Sequence, residues 1–326
     1  MPDAIGGYFE LELRKGYCLY PHASGFNSAR SALKALLSGL GAQRLHLPYF
    51  ICHAVPDAAN AVGVDVARYA LDSNLQLKQL PDLQAGEYLL YVNYLGLKDR
   101  YIVEALAPHY GDRLIIDNSQ ALFSKPLANI KTLYSPRKFV GVPDGGWLAN
   151  PPEGEWQSLL PPSTSDLSAL LGRLEGEPEA HYPAFQHVES ALELAPVAAM
   201  SNSTQRVLDS LDYPWIIARR LANMAALSRA LDARNALDIL PDTPTPALCY
   251  PLLLDTPSQA HSLRKRLQND RIFIPCYWQE VISDPQAPDF ERHLASCLLP
   301  LPIDQRYDAT HIDRLARQVN AHLNLP

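Results

Sequence analysis

Apolar positions between Asn27 and Leu40 recur at helical spacing, with Ala32, Leu33, Leu36, Leu37 and Leu40 on one face and Gly39 and Gly41 closing the run. Short apolar runs bounded by turn residues predict strands at Arg44–Leu47, which Pro48 stops, at Val64–Tyr69 and at Leu114–Ile116. Tyr88–Tyr94 lies between Gly86 and Gly96 and reads as a buried strand. Further strands are predicted at Ile130–Tyr134 and Gly146–Ala149. Helices fall between them at Cys52–Ala61, broken by Gly63, and at Asp99–Tyr110. Strands alternating with helices predict a mostly parallel sheet covered on both faces.

The pattern then changes. Pro151, Pro152, Pro161 and Pro162 mark a loop region, and helical patterns follow at Pro183–Met200, Gln205–Leu211 and Trp215–Asp232. Pro241–Pro246 is linker-like. Strand patterns return at Ala247–Leu254, where Pro251 suggests a sheet edge, at Arg271–Trp278 and at Ser296–Ile303. Helices are predicted at Pro257–Gln268 and Ala309–Leu323. The expected fold class is α/β, a large domain over residues 1–205 followed over 206–326 by a helical connection and a small C-terminal α+β domain. No internal repeat or low-complexity segment is visible.

Composition narrows the function classes. The 326 residues are 47% hydrophobic and 19% charged, enough for a sizeable core. The net charge of −7 and the lack of a Lys/Arg cluster argue against a nucleic-acid partner. Cys18, Cys52, Cys249, Cys276 and Cys297 are scattered, odd in number and form no CxxC pair, as expected of free thiols in a reducing compartment. The N-terminal residues show no signal-peptide pattern, and no run reaches the roughly 18 apolar residues of a membrane span. A cytoplasmic location without a membrane partner is expected. The ten histidines show no metal-binding spacing, so no metal is expected. There is no GxGxxG, P-loop or GxSxG.

Two residues carry the candidate chemistry. Asp117 ends the apolar run Leu114–Ile116, and Lys138 lies 21 residues later, seven and eight residues before Gly145-Gly146. A lysine able to form a Schiff base, paired with a carboxylate able to keep a pyridine nitrogen protonated, is what pyridoxal phosphate (PLP) requires. Taken singly, Asp117 reads as a helix cap and Lys138 as a solvated loop lysine. Ligands of open α/β sheets bind at strand carboxyl ends, which is where both residues fall. Gln120, three residues after Asp117, is a candidate partner for the cofactor ring hydroxyl or a polar helix start. Ser28, with Ala29 and Arg30, opens the first helix and is a candidate phosphate site or an ordinary N-cap. Tyr49, Phe50 and His53 are candidates to stack on a flat ring, with core packing as the other reading. Asn93 either faces the cofactor or makes a structural hydrogen bond. Arg306 is a candidate carboxylate clamp or a partner of Asp304 or Asp308.

The stretches FNSARSALKALL, LPYFICHAV, YVNYLGL, LIIDNSQAL and SPRKFVGVPDGGWL, in this order, resemble the DegT-type aminotransferases, fold-type I PLP enzymes of which many aminate nucleotide-linked keto sugars. The likeness runs through most of the first 150 residues and is looser beyond, through RRLANMAAL and LPIDQRY. It implies Lys138 as the Schiff-base lysine, Asp117 at the pyridine nitrogen, Gln120 near the ring hydroxyl and Ser28 with its neighbours at the phosphate. It places Asn93 near a family histidine and Asn202 on an asparagine that reaches the phosphate of the neighbouring subunit of a homodimer. The chain departs from the family at Leu133, where a serine is usual (Ser135 stands three residues before the lysine), and at Asp144, where a glutamate is usual. The chain is also short for a sugar aminotransferase, which bears on a nucleotide-linked substrate. The expected activity is transfer of an amino group from a small-molecule donor to a keto acceptor. The alternative is a PLP-binding regulatory protein that does not transaminate.

Overall fold

The computed structural model describes residues 5–152, 160–240 and 245–324. The N-terminal tetrapeptide, part of the proline-rich break and residues 241–244 of the linker-like stretch lie outside the described residues. In chain order the main sheet and its helices are β1 (Ser24–Phe26), α1 (Ala29–Leu40), β2 (Arg44–Pro48), α2 (Ala54–Asn60), β3 (Asp65–Tyr69) and β4 (Glu87–Val92). A helical stretch follows, made of α3 (Asp99–Tyr101), a wider π segment (Ile102–Leu106) and α4 (Ala107–Tyr110). Then come β5 (Leu114–Asn118), β6 (Lys131–Tyr134) and β7 (Gly146–Ala149).

The seven strands lie in the order β1-β7-β6-β5-β4-β2-β3. Strands β2 to β6 pair in parallel, and only β7 runs against its neighbours β6 and β1. All residues of β5 are buried, as a central parallel strand with both faces covered requires. The register Val92↔Asp117↔Leu133 puts the ends of three neighbouring strands side by side. Helix α1 is amphipathic, capped by Ser28, whose hydroxyl accepts the Ser31 N–H at 3.0 Å, and stopped by Gly41 at φ +58°. Its buried face (Ala32, Leu33, Leu36, Leu37) joins the sheet core, where the helix lies against β7, β6 and β1.

Beyond the sheet are α5 (Ser168–Glu175), α6 (Pro178–Leu194), α7 (Asn202–Ser210) and α8 (Tyr213–Leu231). Next come β8 (Tyr250–Leu253), α9 (Pro257–Asn269), α10 (Glu280–Ser283), α11 (Asp289–Cys297), β9 (Leu298–Leu301) and α12 (Ala309–Leu323). Strands β8 and β9 form an antiparallel pair in which Pro251 faces Pro300, so neither proline stands where a donor to the ladder is needed. Their outer residues build a second core with α8, α9 and α12, through Met224, Leu227, Leu252, Leu263, Leu301 and Val319.

Several expected boundaries shift. The helix expected at Pro183–Met200 is α6, with Pro178 in its first turn and Pro183 inside it. It ends before Ala195, which Pro196 holds extended (φ −62°, ψ 141°). The strand expected at Arg271–Trp278 does not form, since these residues join no ladder. Pro275 lacks a donor, and Trp278 at φ +53° breaks the pleat. The strand expected at Ser296–Ile303 shrinks to β9, because Ser296 and Cys297 finish α11, whose apolar residues Phe290, Leu294 and Cys297 fall at helical spacing.

Candidate active site

Two cavities meet at the turn Pro136–Lys138. The smaller, of about 220 Å³, is lined by the α1 N-terminus (Ser28, Ala29, Arg30), the strand ends Asp117, Ser119, Gln120 and Leu133, the turn residues Ser135, Arg137 and Lys138, and Trp278. The larger, of about 1230 Å³, shares Ser135, Arg137, Lys138 and Glu189 with it and adds Asn202, Arg206 and Arg306.

Asp117 is 7% exposed at the end of β5. One carboxylate oxygen accepts the Ser119 N–H at 2.8 Å. Among the described residues the carboxylate has no other hydrogen bond and no ion pair. A carboxylate this buried is costly without a cation, and the cavity is where one can come from. The Asp117–Ser119 bond is a local turn, so part of the capping reading is also seen. Lys138 closes a single 3-10 turn that Pro136 opens, and its ammonium, exposed in this chain, makes no ion pair among the described residues. The next residue fixes the turn. The Phe139 carbonyl accepts from the Gln305 amide at 2.8 Å and from the Arg220 guanidinium at 3.2 Å. Arg220 is 1% exposed, and burial pulls it down to about 10, with Asp304 opposing. Burial pushes the Cys52 thiol up, and the Ala54 N–H and the Lys138 charge pull it back.

The diglycine has a geometric cause. Gly145 sits at φ +121°, a conformation open to glycine, and donates its N–H to the Asn27 carbonyl at 2.8 Å. A Cβ on Gly146 would stand 2.3 Å from Ala29 N and Ser28 C, so only glycine lets β7 approach the first turn of α1. Asp144 accepts from the Ser163 hydroxyl and from the Ser201 N–H and hydroxyl and the Thr204 hydroxyl, tying the start of α7 to the same loop.

The structure gathers Ser28, Ala29, Arg30, Asp117, Gln120 and Lys138 around one cavity and leaves Asn93, Tyr49, Asn202, Arg306, Phe50 and His53 outside its lining. Asn93 is fully buried. Its amide nitrogen donates to Asp99 and Asn118, and its oxygen accepts the Lys98 N–H, which is the structural hydrogen bonding. Tyr49 packs on the sheet core. Asn202 lines the larger cavity, in the first turn of α7. Ser28 uses its hydroxyl within α1, accepting from Ser31 N–H and bonding the Ser31 hydroxyl at 3.1 Å. The Gln120 amide oxygen accepts the Leu95 N–H at 2.9 Å, leaving its nitrogen for a ligand. Arg306 donates two hydrogen bonds to the Asp304 carboxylate, at 2.7 and 2.9 Å, the plainer of its two readings. Phe50 lies behind the cavity wall, and His53 lies outside the lining, paired with Glu193 and Glu280.

Sequence reasoning missed Trp278 and the pairing of Arg137 with Glu189 of α6. Trp278 carried no signal because its segment reads as an apolar strand. The ion pair joins residues 52 positions apart, beyond any local pattern. Among the described residues no group of three potential metal ligands is present, and no helix is long and apolar enough to cross a membrane.

No family model and no curated protein matches the chain. Among solved structures, the chain is similar to S. venezuelae DesV in complex with a ketimine intermediate, at 19% identity over 95% of this chain and 87% of that one, with a TM-score of 0.67. It is also similar to NtdA from Bacillus subtilis with bound cofactor PMP, at 13% identity, 93% and 73% coverage and a TM-score of 0.67. A third is a DegT DnrJ EryC1 StrS aminotransferase from Brucella abortus, at 15% identity, 95% and 92% coverage and a TM-score of 0.59. The chain therefore has the fold of these aminotransferases, the group whose motifs its first 150 residues resemble.

Proposed function

We propose that this protein is a PLP-dependent aminotransferase that passes an amino group from a small-molecule donor to a keto acceptor, with a keto sugar as the acceptor class. The observation that carries the reading is Asp117, a buried carboxylate with no cation beside it among the described residues, facing the same cavity as a lysine without an ion pair among them and a helix N-terminus. The cofactor fits these three features one by one. Its protonated ring nitrogen supplies the charge Asp117 lacks. Its phosphate suits the open N-terminus of α1 at Ser28, Ala29 and Arg30. Its aldehyde suits Lys138. When bound, PLP supplies an electron sink for the substrate carbon that loses a proton. Lys138 would hold the cofactor covalently and, when its amine is free, would be the base and acid that moves that proton.

The larger cavity supports an acceptor of some size. It opens beside Lys138 and is lined by more basic residues (Arg137, Lys138, Arg173, Arg206, Arg220, Arg306) than acidic ones (Glu10, Glu189, Asp304). With Arg206 and Arg306 paired to Glu10 and Asp304, an acceptor bearing negative charge suits Lys138 and Arg173. We read residues 1–205 and 206–326 as the cofactor-binding and smaller domains of a cytoplasmic homodimer. The exposed apolar residues Leu171, Leu174, Tyr182 and Phe185 of α5 and α6 support a covered face there.

Reduction with borohydride after PLP addition, followed by peptide mapping, tests the assignment. The adduct is expected on Lys138 and absent from Lys138→Ala. An adduct on another lysine, or none, overturns the reading. Conversion of bound PLP to its amine form by an amino donor separates an aminotransferase from a chain that only binds the cofactor.

A further inference from the structure

The aromatic wall of the cofactor cavity comes from the far end of the chain. Of the described residues lining the smaller cavity, Trp278 alone carries an aromatic ring. It belongs to the extended segment after α9, more than 220 residues beyond the Tyr49–His53 stretch that supplied the candidate rings. Its ring meets Phe50 edge-on at 4.4 Å between centroids, with an interplanar angle of 79°, and meets Tyr94 at 6.2 Å. Ile51, Cys52, Ala54 and Val55, next to Phe50 in sequence, line the same cavity. Trp278 therefore continues the wall that these residues form, while Asp117, Ser119, Gln120 and Leu133 enter from the strand ends.

Three features set Trp278 apart from ordinary packing. The indole is only half-buried, although the rings it touches, Phe50 and Tyr94, are core residues. Its backbone holds φ +53°, which residues with side chains avoid and which persists only where the surroundings over-determine it. Close by, Glu280, two residues on, accepts the His53 N–H at 3.1 Å and faces its ring nitrogen at 3.4 Å. The C-terminal segment is thus pinned to the start of α2 with a flat, apolar ring left facing the cavity.

We infer that Trp278 is the binding residue that packs its indole against the pyridoxal ring, and so positions the cofactor between Asp117 and Lys138. This rests on the PLP reading above. Losing an aromatic pair of this kind weakens binding by about three- to tenfold, and a phenyl ring retains most of it.

The test titrates PLP into the wild-type chain, Trp278→Phe and Trp278→Leu, following binding by absorbance, and maps the borohydride adduct in each. Melting temperatures of the cofactor-free variants are measured alongside. The expected result is an adduct on Lys138 in all three, a dissociation constant raised about three- to tenfold in Trp278→Leu, and near-wild-type affinity in Trp278→Phe. The wild-type emission that Trp278→Phe lacks should be quenched on PLP binding. Unchanged affinity in Trp278→Leu, with the adduct still on Lys138, overturns the inference and leaves the PLP reading standing. Equal losses in both variants, tracking equal drops in melting temperature, reduce Trp278 to a packing residue and also overturn it. No adduct in the wild type defeats the PLP reading itself, and the inference with it.

Discussion

Asp117 and Glu189 are both carboxylates that line the same cavity, and they are held in opposite ways. Asp117 ends a fully buried parallel strand, flanked in register by Val92 and Leu133. Glu189 lies on α6, a helix with no buried residue, and is held by Arg137. The neighbouring Glu193 is tied to Arg30 at 3.5 Å and to His53 at 3.2 Å. The sheet side of the cavity is fixed by backbone ladders and core packing, while the α6 side is attached by ion pairs at the surface. Exposed ion pairs are worth only about 0–1 kcal/mol each. The contrast fits a site in which a rigid sheet edge fixes the chemistry and a weakly held helix can yield when a ligand arrives.

The largest effect is expected on the sheet side. Asp117→Asn keeps an oxygen that can accept the Ser119 N–H, so the melting temperature should change little. It removes the negative charge, and transamination should slow by about 10²-fold or more, the scale on which acid–base and charge terms act. If Asp117→Asn melts lower by the equivalent of about 1 kcal/mol and transaminates normally, the residue is a cap and the sheet side loses its special standing.

A second substitution asks whether packing alone maintains that edge. Gly146→Ala places a methyl group against the first turn of α1, where no flexible side chain can give way. Overpacking of this kind costs about 1–3 kcal/mol. Chemical denaturation should show that loss, together with weakened phosphate affinity at the α1 N-terminus. Wild-type stability would mean that β7 and α1 tolerate more separation than their contact implies.

The smallest effect belongs to α6. Burial lowers the pKa of His53, but Glu193 and Glu280 outweigh it and leave the net value above the ordinary one. A histidine raised in this way contributes fully below its unfolded value, about 6.5, and the contribution fades as pH rises through the higher folded value. Amide exchange in α6 should therefore quicken as pH passes upward through that range, after correction for the intrinsic rate. The change should vanish in His53→Gln, and the global melting temperature should hardly move. A pH-independent α6 would show that packing against α5, and not the ion pairs, holds it.

Much of the sheet side was legible. The strand at Gly146–Ala149 and the helix Ala309–Leu323 have the bounds that periodicity predicts, and Asp117 and Lys138 stand out because strand ends are where α/β sheets bind ligands. The rest was hidden for identifiable reasons. Ser296 and Cys297 lie in an apolar run that suits a strand or a helix equally, and only contact with the second core decided it. Asn93 and Tyr49 lie near the cavity in sequence, but their side chains are engaged elsewhere.

The sequence by itself determined the alternation of strands and helices and the candidate lysine and carboxylate, while the need for glycine at position 146 came from its contact with the first turn of α1. The alternation and the candidate pair depend on local spacing, which neighbouring residues reveal. Only the tertiary structure decided which side chains share the cavity. It brought Trp278 against Phe50, laid Glu189 on Arg137 and set Gln305 and Arg220 on the Phe139 carbonyl. Each of these contacts joins residues 52 or more positions apart in the chain. Such contacts arise from the packing of whole elements, and no local pattern of apolar and polar residues records them.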